Sequence, residues 1–224
     1  MDTISIDKYL PDILRGTWVT VEVTILSAIL AFIVAFVFGL GRLSNVSIIR
    51  WISYICVEFI RGTSLLVQLF WLYYVLPIVL KQFNIDLQLD ALFTGVLAIG
   101  LNYGAYGSEI VRSSIKAVPG GQREAGIALN FSPLQIMMRI IIPQALMRMI
   151  PPFGNLLIEL LKGTSLVSFI TLADLTYEAK NLRNFYYSES DFIFLILLVI
   201  YFVLAYSMTF AIRKLERRIT AGRM

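Results

Sequence analysis

Apolar residues in this chain gather in long blocks, not in the spacing of a water-soluble core. Five blocks stand out, roughly Thr17–Gly41, Trp51–Leu80, Ala91–Val111, Met149–Ala173 and Phe192–Ile212. Each reaches the ~20 residues that a helix needs to cross a bilayer. The pattern predicts an all-α integral membrane protein with five transmembrane helices. The second block is too long for one perpendicular crossing, so it is tilted or begins as an interfacial segment. Residues 1–16 read as a short amphipathic lead-in with Ile6, Leu10 and Ile13 or Leu14 on one side.

Composition supports this. Of 224 residues, 58% are hydrophobic, more than a soluble domain of this length could hide, so the bilayer is the solvent. The first seven residues lack a basic n-region, and no cleavable signal is expected. Cys56 is alone, which excludes an intrachain disulfide. Histidine is absent, which removes the commonest metal ligand and the usual proton shuttle, and no metal is expected.

Lysine and arginine then set the orientation. Arg42, Arg50, Arg112, Lys116, Arg123, Arg139, Arg148, Arg213, Lys214, Arg217, Arg218 and Arg223 fall in one set of connections. Only Lys8, Arg15, Lys81, Lys180 and Arg183 fall in the other. The amino end is therefore expected outside and the carboxyl end inside. The net charge of +4 reads as a topology signal, not as nucleic-acid binding. One domain, 1–224, is expected, and its largest inside loop is 112–148.

An internal echo runs through the second and fourth blocks. Glu58-Phe59-Ile60-Arg61-Gly62-Thr63-Ser64-Leu65 matches Glu159-Leu160-Leu161-Lys162-Gly163-Thr164-Ser165-Leu166 in pattern, which suggests a parallel structural repeat. Acid and base three apart share one helix face, and pairing lowers the cost of placing them in lipid. Glu58/Arg61 and Glu109/Arg112 lie near the inside ends of their blocks and suit structural ion pairs. Glu159/Lys162 falls near mid-membrane beside Gly163, where a helix can break, and the Thr164 and Ser165 hydroxyls can satisfy freed backbone groups. Lys162 suits a carboxylate and Glu159 an ammonium; alternatively the pair fixes helix packing. Gly100 and Gly104 form a small-residue packing face. Asn102, Tyr103, Tyr106 and Gln68 are further candidates for solute contact, and packing explains each equally well.

The charged loop carries the most specific signal. Pro119-Gly120-Gly121 ends one element, a short surface helix follows through Gln122–Leu129, Ser132-Pro133 restarts a helix as N-cap and first residue, and Pro143 stops it. Glu124-Ala125-Gly126, Asn130, Ile140, Ile142 and Pro143 resemble the EAA loop of permease subunits of bacterial ABC importers. Gly126, Asn130 and Ile142 depart from the usual Ala, Gly and Leu. Asn tolerates the left-handed backbone that glycine would serve. Phe59–Gln68 and Leu146–Pro152 are similar to the polar amino acid subfamily (histidine, arginine, glutamine). Leu101–Glu109 and Leu156–Lys162 are most similar to ectoine and hydroxyectoine permeases.

The resemblance implies a type I importer permease in the bacterial inner membrane. It implies two permease subunits, as a homo- or heterodimer, forming the path; two ATPase subunits gripping the EAA helices; and an extracytoplasmic binding protein delivering solute. Arg123, Glu124, Ala125, Gly126, Leu129 and Asn130 would form the ATPase dock. ATP is the partner's, since this chain holds no phosphate-cradling Gly-x4-Gly-Lys-Ser/Thr run. Its other partner is membrane lipid. Three rivals remain: an ATPase-independent carrier or channel, disfavoured by the elaborate loop; an intramembrane enzyme, disfavoured by the lack of a histidine base; and a non-transporting scaffold subunit.

Overall fold

In the computed structural model, described for residues 9–86 and 88–221 (with side chains to 218), the described residues form helices joined by short connections. Ile6, Lys8 and Arg223, which entered the lead-in and the charge count, lie outside them. The helices are α1 (Leu10–Gly41), α2 (Ser47–Arg61), α3 (Leu65–Phe70), α4 (Leu76–Gln82), α5 (Ala91–Lys116), α6 (Gly120–Ala128), α7 (Pro133–Ile136), α8 (Ile142–Gly163), α9 (Leu175–Phe185) and α10 (Ser190–Ala221). Among the described residues, four helical stretches are long and apolar enough to cross a membrane: Leu10–Gly41, Leu65–Gln82, Pro133–Ile170 and Tyr187–Arg218. The 26-residue α5, the third block of the sequence, is not one of them. It carries Asn102, Ser108, Glu109 and Arg112 among its apolar residues.

The lead-in is no separate element: α1 starts at Leu10 and runs on through the first block. Ile13 is buried, whereas Leu10 and Leu14 are exposed. The overlong second block divides at Gly62-Thr63-Ser64 into α2 and α3.

Two prolines sit inside continuous helix for a shared reason. A π-helical stretch, Trp71–Val75, precedes Pro77, and another, Met137–Ile141, precedes Pro143. A proline ring clashes with the carbonyl four residues back, here Tyr73 and Arg139, the central residues of the two π stretches. The widened turn relieves that clash. Pro143 therefore does not stop its helix; α8 continues past it, and past Pro151-Pro152, to Gly163. Gly120-Gly121 likewise do not end an element. They open α6 after Pro119.

The chain divides into two compact units. One takes in the described residues up to Leu30, with Thr63–Gly100 and Ile158–Met208. Its core gathers Tyr9, Ile13, Leu175, Ala179, Leu182 and Ile193. The other takes in Ala31–Gly62, Leu101–Leu157 and the described residues from Thr209 on. Its core gathers Ala35, Val111, Ile115, Ala145, Met149 and Phe153. Close approach explains the glycine face of α5: a Cβ at Gly104 would lie 2.6 Å from the Val34 side chain, and one at Gly100 2.6 Å from Leu30. Both are packing glycines.

Candidate functional site

In the first unit, α8 ends at Gly163 and passes into a 3-10 turn, Thr164–Ile170, closed by Thr171 with φ 61°. The freed carbonyls are taken up locally. Thr164 donates its hydroxyl to Leu161 O at 2.7 Å, Ser165 to Lys162 O at 2.9 Å and Ser168 to Ser165 O at 2.9 Å. Thr164 is fully buried, so its hydroxyl shapes the break and does not face solvent. Glu159 and Lys162, just before the break, are both exposed on the chain's surface.

Aromatic residues pin the 3-10 turn from the α3 side. Tyr74 donates its hydroxyl to Phe169 O at 3.2 Å, and Phe70 meets the Phe169 ring edge-on. Lys180 donates to the Ser168 hydroxyl at 2.9 Å and stands 4.0 Å from the Phe169 ring centre, a cation–π contact. Gln68 donates to the Thr63 hydroxyl at 2.6 Å. Beyond the turn, Asp174 caps α9. Its Oδ1 accepts the Tyr177 N–H at 2.9 Å, while Oδ2 is buried without a hydrogen bond of ordinary geometry. Burial pushes this carboxyl up to about 6, against the pull of the Tyr177 and Thr176 N–H groups.

The second unit holds an ion network. Glu58 lies 3.6 Å from Arg61, and Glu109 pairs with Arg112 through a short contact and a 3.0 Å bond from Nε. Arg42 joins the two pairs, 2.9 Å from Glu109 and 3.5 Å from Glu58, with its side chain only 9% exposed. Arg61 covers the Tyr106 ring, and the Tyr106 hydroxyl donates to Arg61 O at 3.4 Å. Tyr106 is therefore tied to the network. Asn102 is buried on α5 and Tyr103 is half-buried. Gln68, Glu159, Lys162, Thr164 and Ser165 thus belong to one unit; Asn102, Tyr103 and Tyr106 belong to the other.

Arg42 was legible only as a topology charge. The missed signal is its position: an arginine directly after an apolar helix sits too close to lipid to stay unpaired.

The loop of the second unit is built from local capping. Helix α6 ends with Asn130 at φ 58°. Phe131 N–H donates to Gly126 O at 3.0 Å and Asn130 N–H to Ile127 O at 2.8 Å. This is a Schellman motif, with Asn in the left-handed place that glycine usually takes. Two residues on, Ser132 and Gln135 form a reciprocal capping box at the start of α7, with Pro133 in its first turn. Gly126 is the buried contact: a Cβ there would lie 2.9 Å from Ile136 and 3.1 Å from Ile140. Its neighbours along α6 face outward. Gln122, Arg123, Glu124, Ala125, Ile127, Leu129 and Asn130 are exposed, with Leu129 at 67%.

Comparison with known proteins gives the family of the chain. Residues 27–221 match the family described as binding-protein-dependent transport system inner membrane component. The chain is 47% identical over 215 residues to the probable amino-acid ABC transporter permease protein y4tF of Sinorhizobium fredii, covering 96% of this chain and 90% of that one. It is 37% identical over 212 residues to the L-cystine transport system permease protein TcyB of Bacillus subtilis, covering 95% and 88%. A crystal structure of an amino acid ABC transporter with histidines superposes with TM-score 0.87 at 33% identity, covering 97% of this chain and 99% of that one.

Proposed function

This chain belongs to the family of binding-protein-dependent transport system inner membrane components, and from that premise we propose that it passes a small zwitterionic amino acid across the membrane on power supplied by a separate ATPase. It is a permease subunit of an ABC importer, multi-pass in the inner membrane, and not itself an enzyme. Five apolar blocks support five crossings, and the distribution of Lys and Arg supports an amino end outside and the loop 112–148 in the cytosol.

The observation that carries this reading is the rigid mounting of α6. A Schellman motif and a capping box hold the helix at one end and Gly126 seats it on Ile136 and Ile140, while Arg123, Glu124, Ala125 and Leu129 stay exposed. A short helix fixed so firmly, yet uncovered, transmits force from something that grips it. The ATPase subunits are that partner. A second permease subunit completes the path, and a binding protein delivers the solute. Exposed Glu159 and Lys162 beside the Gly163 break supply opposite charges for an ammonium and a carboxylate. The amino-acid and cystine names of the relatives support a zwitterion. Ectoine rests on the likeness of Leu101–Glu109 and Leu156–Lys162 alone.

Glu124→Lys tests the docking role. The variant should insert and melt normally yet lose amino-acid uptake in cells that carry the whole importer. Unchanged uptake would refute the role of α6.

A further inference from the structure

We propose that the basic pocket where α1 hands over to α2 binds the phosphate of an anionic phospholipid headgroup. The apolar run of α1 ends at Gly41, Arg42 follows, and α2 begins at Ser47. Here an open pocket of about 860 Å³ is lined by Arg42, Ser47, Arg50, Trp51, Tyr54 and Arg112, among others. The neighbourhood holds four arginines (Arg42, Arg50, Arg61 and Arg112) against two glutamates, Glu58 and Glu109. The two glutamates are engaged by Arg42, Arg61 and Arg112, so the four arginines leave surplus positive charge at the pocket. Arg50 is the available group. It donates to Ser44 O and the Ser47 hydroxyl, each at 3.3 Å, and among the described residues it has no acidic partner. A guanidinium has five N–H donors in a fork that fits phosphate.

The rest of the pocket distinguishes a lipid from a soluble anion. Exposed Ile48, Trp51 and Ile52 stand beside the arginines on α2. Tryptophan and tyrosine favour the depth of the headgroups, the level at which an apolar helix gives way to arginine. Free phosphate would use the arginines and leave these apolar walls wet. A glycerophospholipid uses both. The proposal requires that the chain lie in a bilayer; it does not depend on which solute is carried.

The test is native mass spectrometry of the purified full-length protein after equilibration with equal amounts of phosphatidylglycerol and phosphatidylcholine. Preferential retention of phosphatidylglycerol is expected. Arg50→Gln should reduce that preference by about fivefold, the effect of one basic residue at a charged lipid surface. Arg50→Lys should keep most of it, and excess inorganic phosphate should not displace the lipid. Equal retention of the two lipids, an Arg50→Gln variant with undiminished preference, or release by inorganic phosphate would overturn the proposal.

Discussion

The chain writes nearly the same eight residues twice and uses them differently. Both copies, Glu58–Leu65 and Glu159–Leu166, end a helix at Gly-Thr-Ser. After the first, the chain restarts as an α-helix with Ser64 as N-cap; after the second, it tightens into a 3-10 turn. The charges diverge further. In the first copy, Glu58 and Arg61 are absorbed into a network through Arg42, Glu109 and Tyr106. In the second, Glu159 and Lys162 face outward. A motif thus fixes where a helix breaks, because glycine and the hydroxyl residues act locally. It does not fix the surroundings its charges meet, because those depend on distant residues such as Arg42.

Removing the first copy's partner should have the largest effect. Arg42→Ala removes the nearly buried cation that joins the two pairs, leaving Glu58 only Arg61 and Glu109 only Arg112, and should cost about 3 kcal/mol, read as a lower unfolding midpoint in detergent. An unchanged midpoint would mean that the network is ornamental. Past the second copy, Asp174 is the next largest contributor. Its folded form holds the proton more tightly than the unfolded chain does, because its pKa rises from 3.8 to about 6. The associated stability is therefore greatest below about 4 and is lost as pH climbs to about 6, roughly 3 kcal/mol in all. Asp174→Asn should flatten that slope while keeping the cap on α9; an unaltered pH profile would remove Asp174 from the account.

Lys162→Ala should reduce solute uptake at least ~10-fold, equivalent to about 1.4 kcal/mol, with little change in melting. A large drop in melting instead would put the second copy in the same packing role as the first. The smallest effect belongs to Thr164→Val. It removes the buried bond to Leu161 O and should cost about 1 kcal/mol, without altering solute preference.

Local physics made much of this legible. Ser132-Pro133 reads as a helix start because a capping box is a short-range device, and Asn130 could be given a left-handed backbone from its chemistry alone. The hydroxyls of Ser165 and Thr164 read as satisfiers of a broken helix for the same reason. What stayed hidden depends on neighbours far away or on subtle backbone geometry. Pro143 reads as a stop until the π stretch before it shows how the helix passes through. Arg42 bridges to Glu109 across 67 positions, a pairing that no local pattern encodes. The small residues of α5 read as packing, yet only the structure shows that Gly104 faces Val34.

The central claim is that this chain cannot move solute unaided and is driven through α6. The direct measurement is uptake of labelled amino acid into liposomes holding the permease alone, beside liposomes holding it with its ATPase, binding protein and ATP. Uptake only in the second set, lost there with Glu124→Lys, is the predicted result. Equal uptake by the permease alone, with no nucleotide hydrolysed, would contradict it.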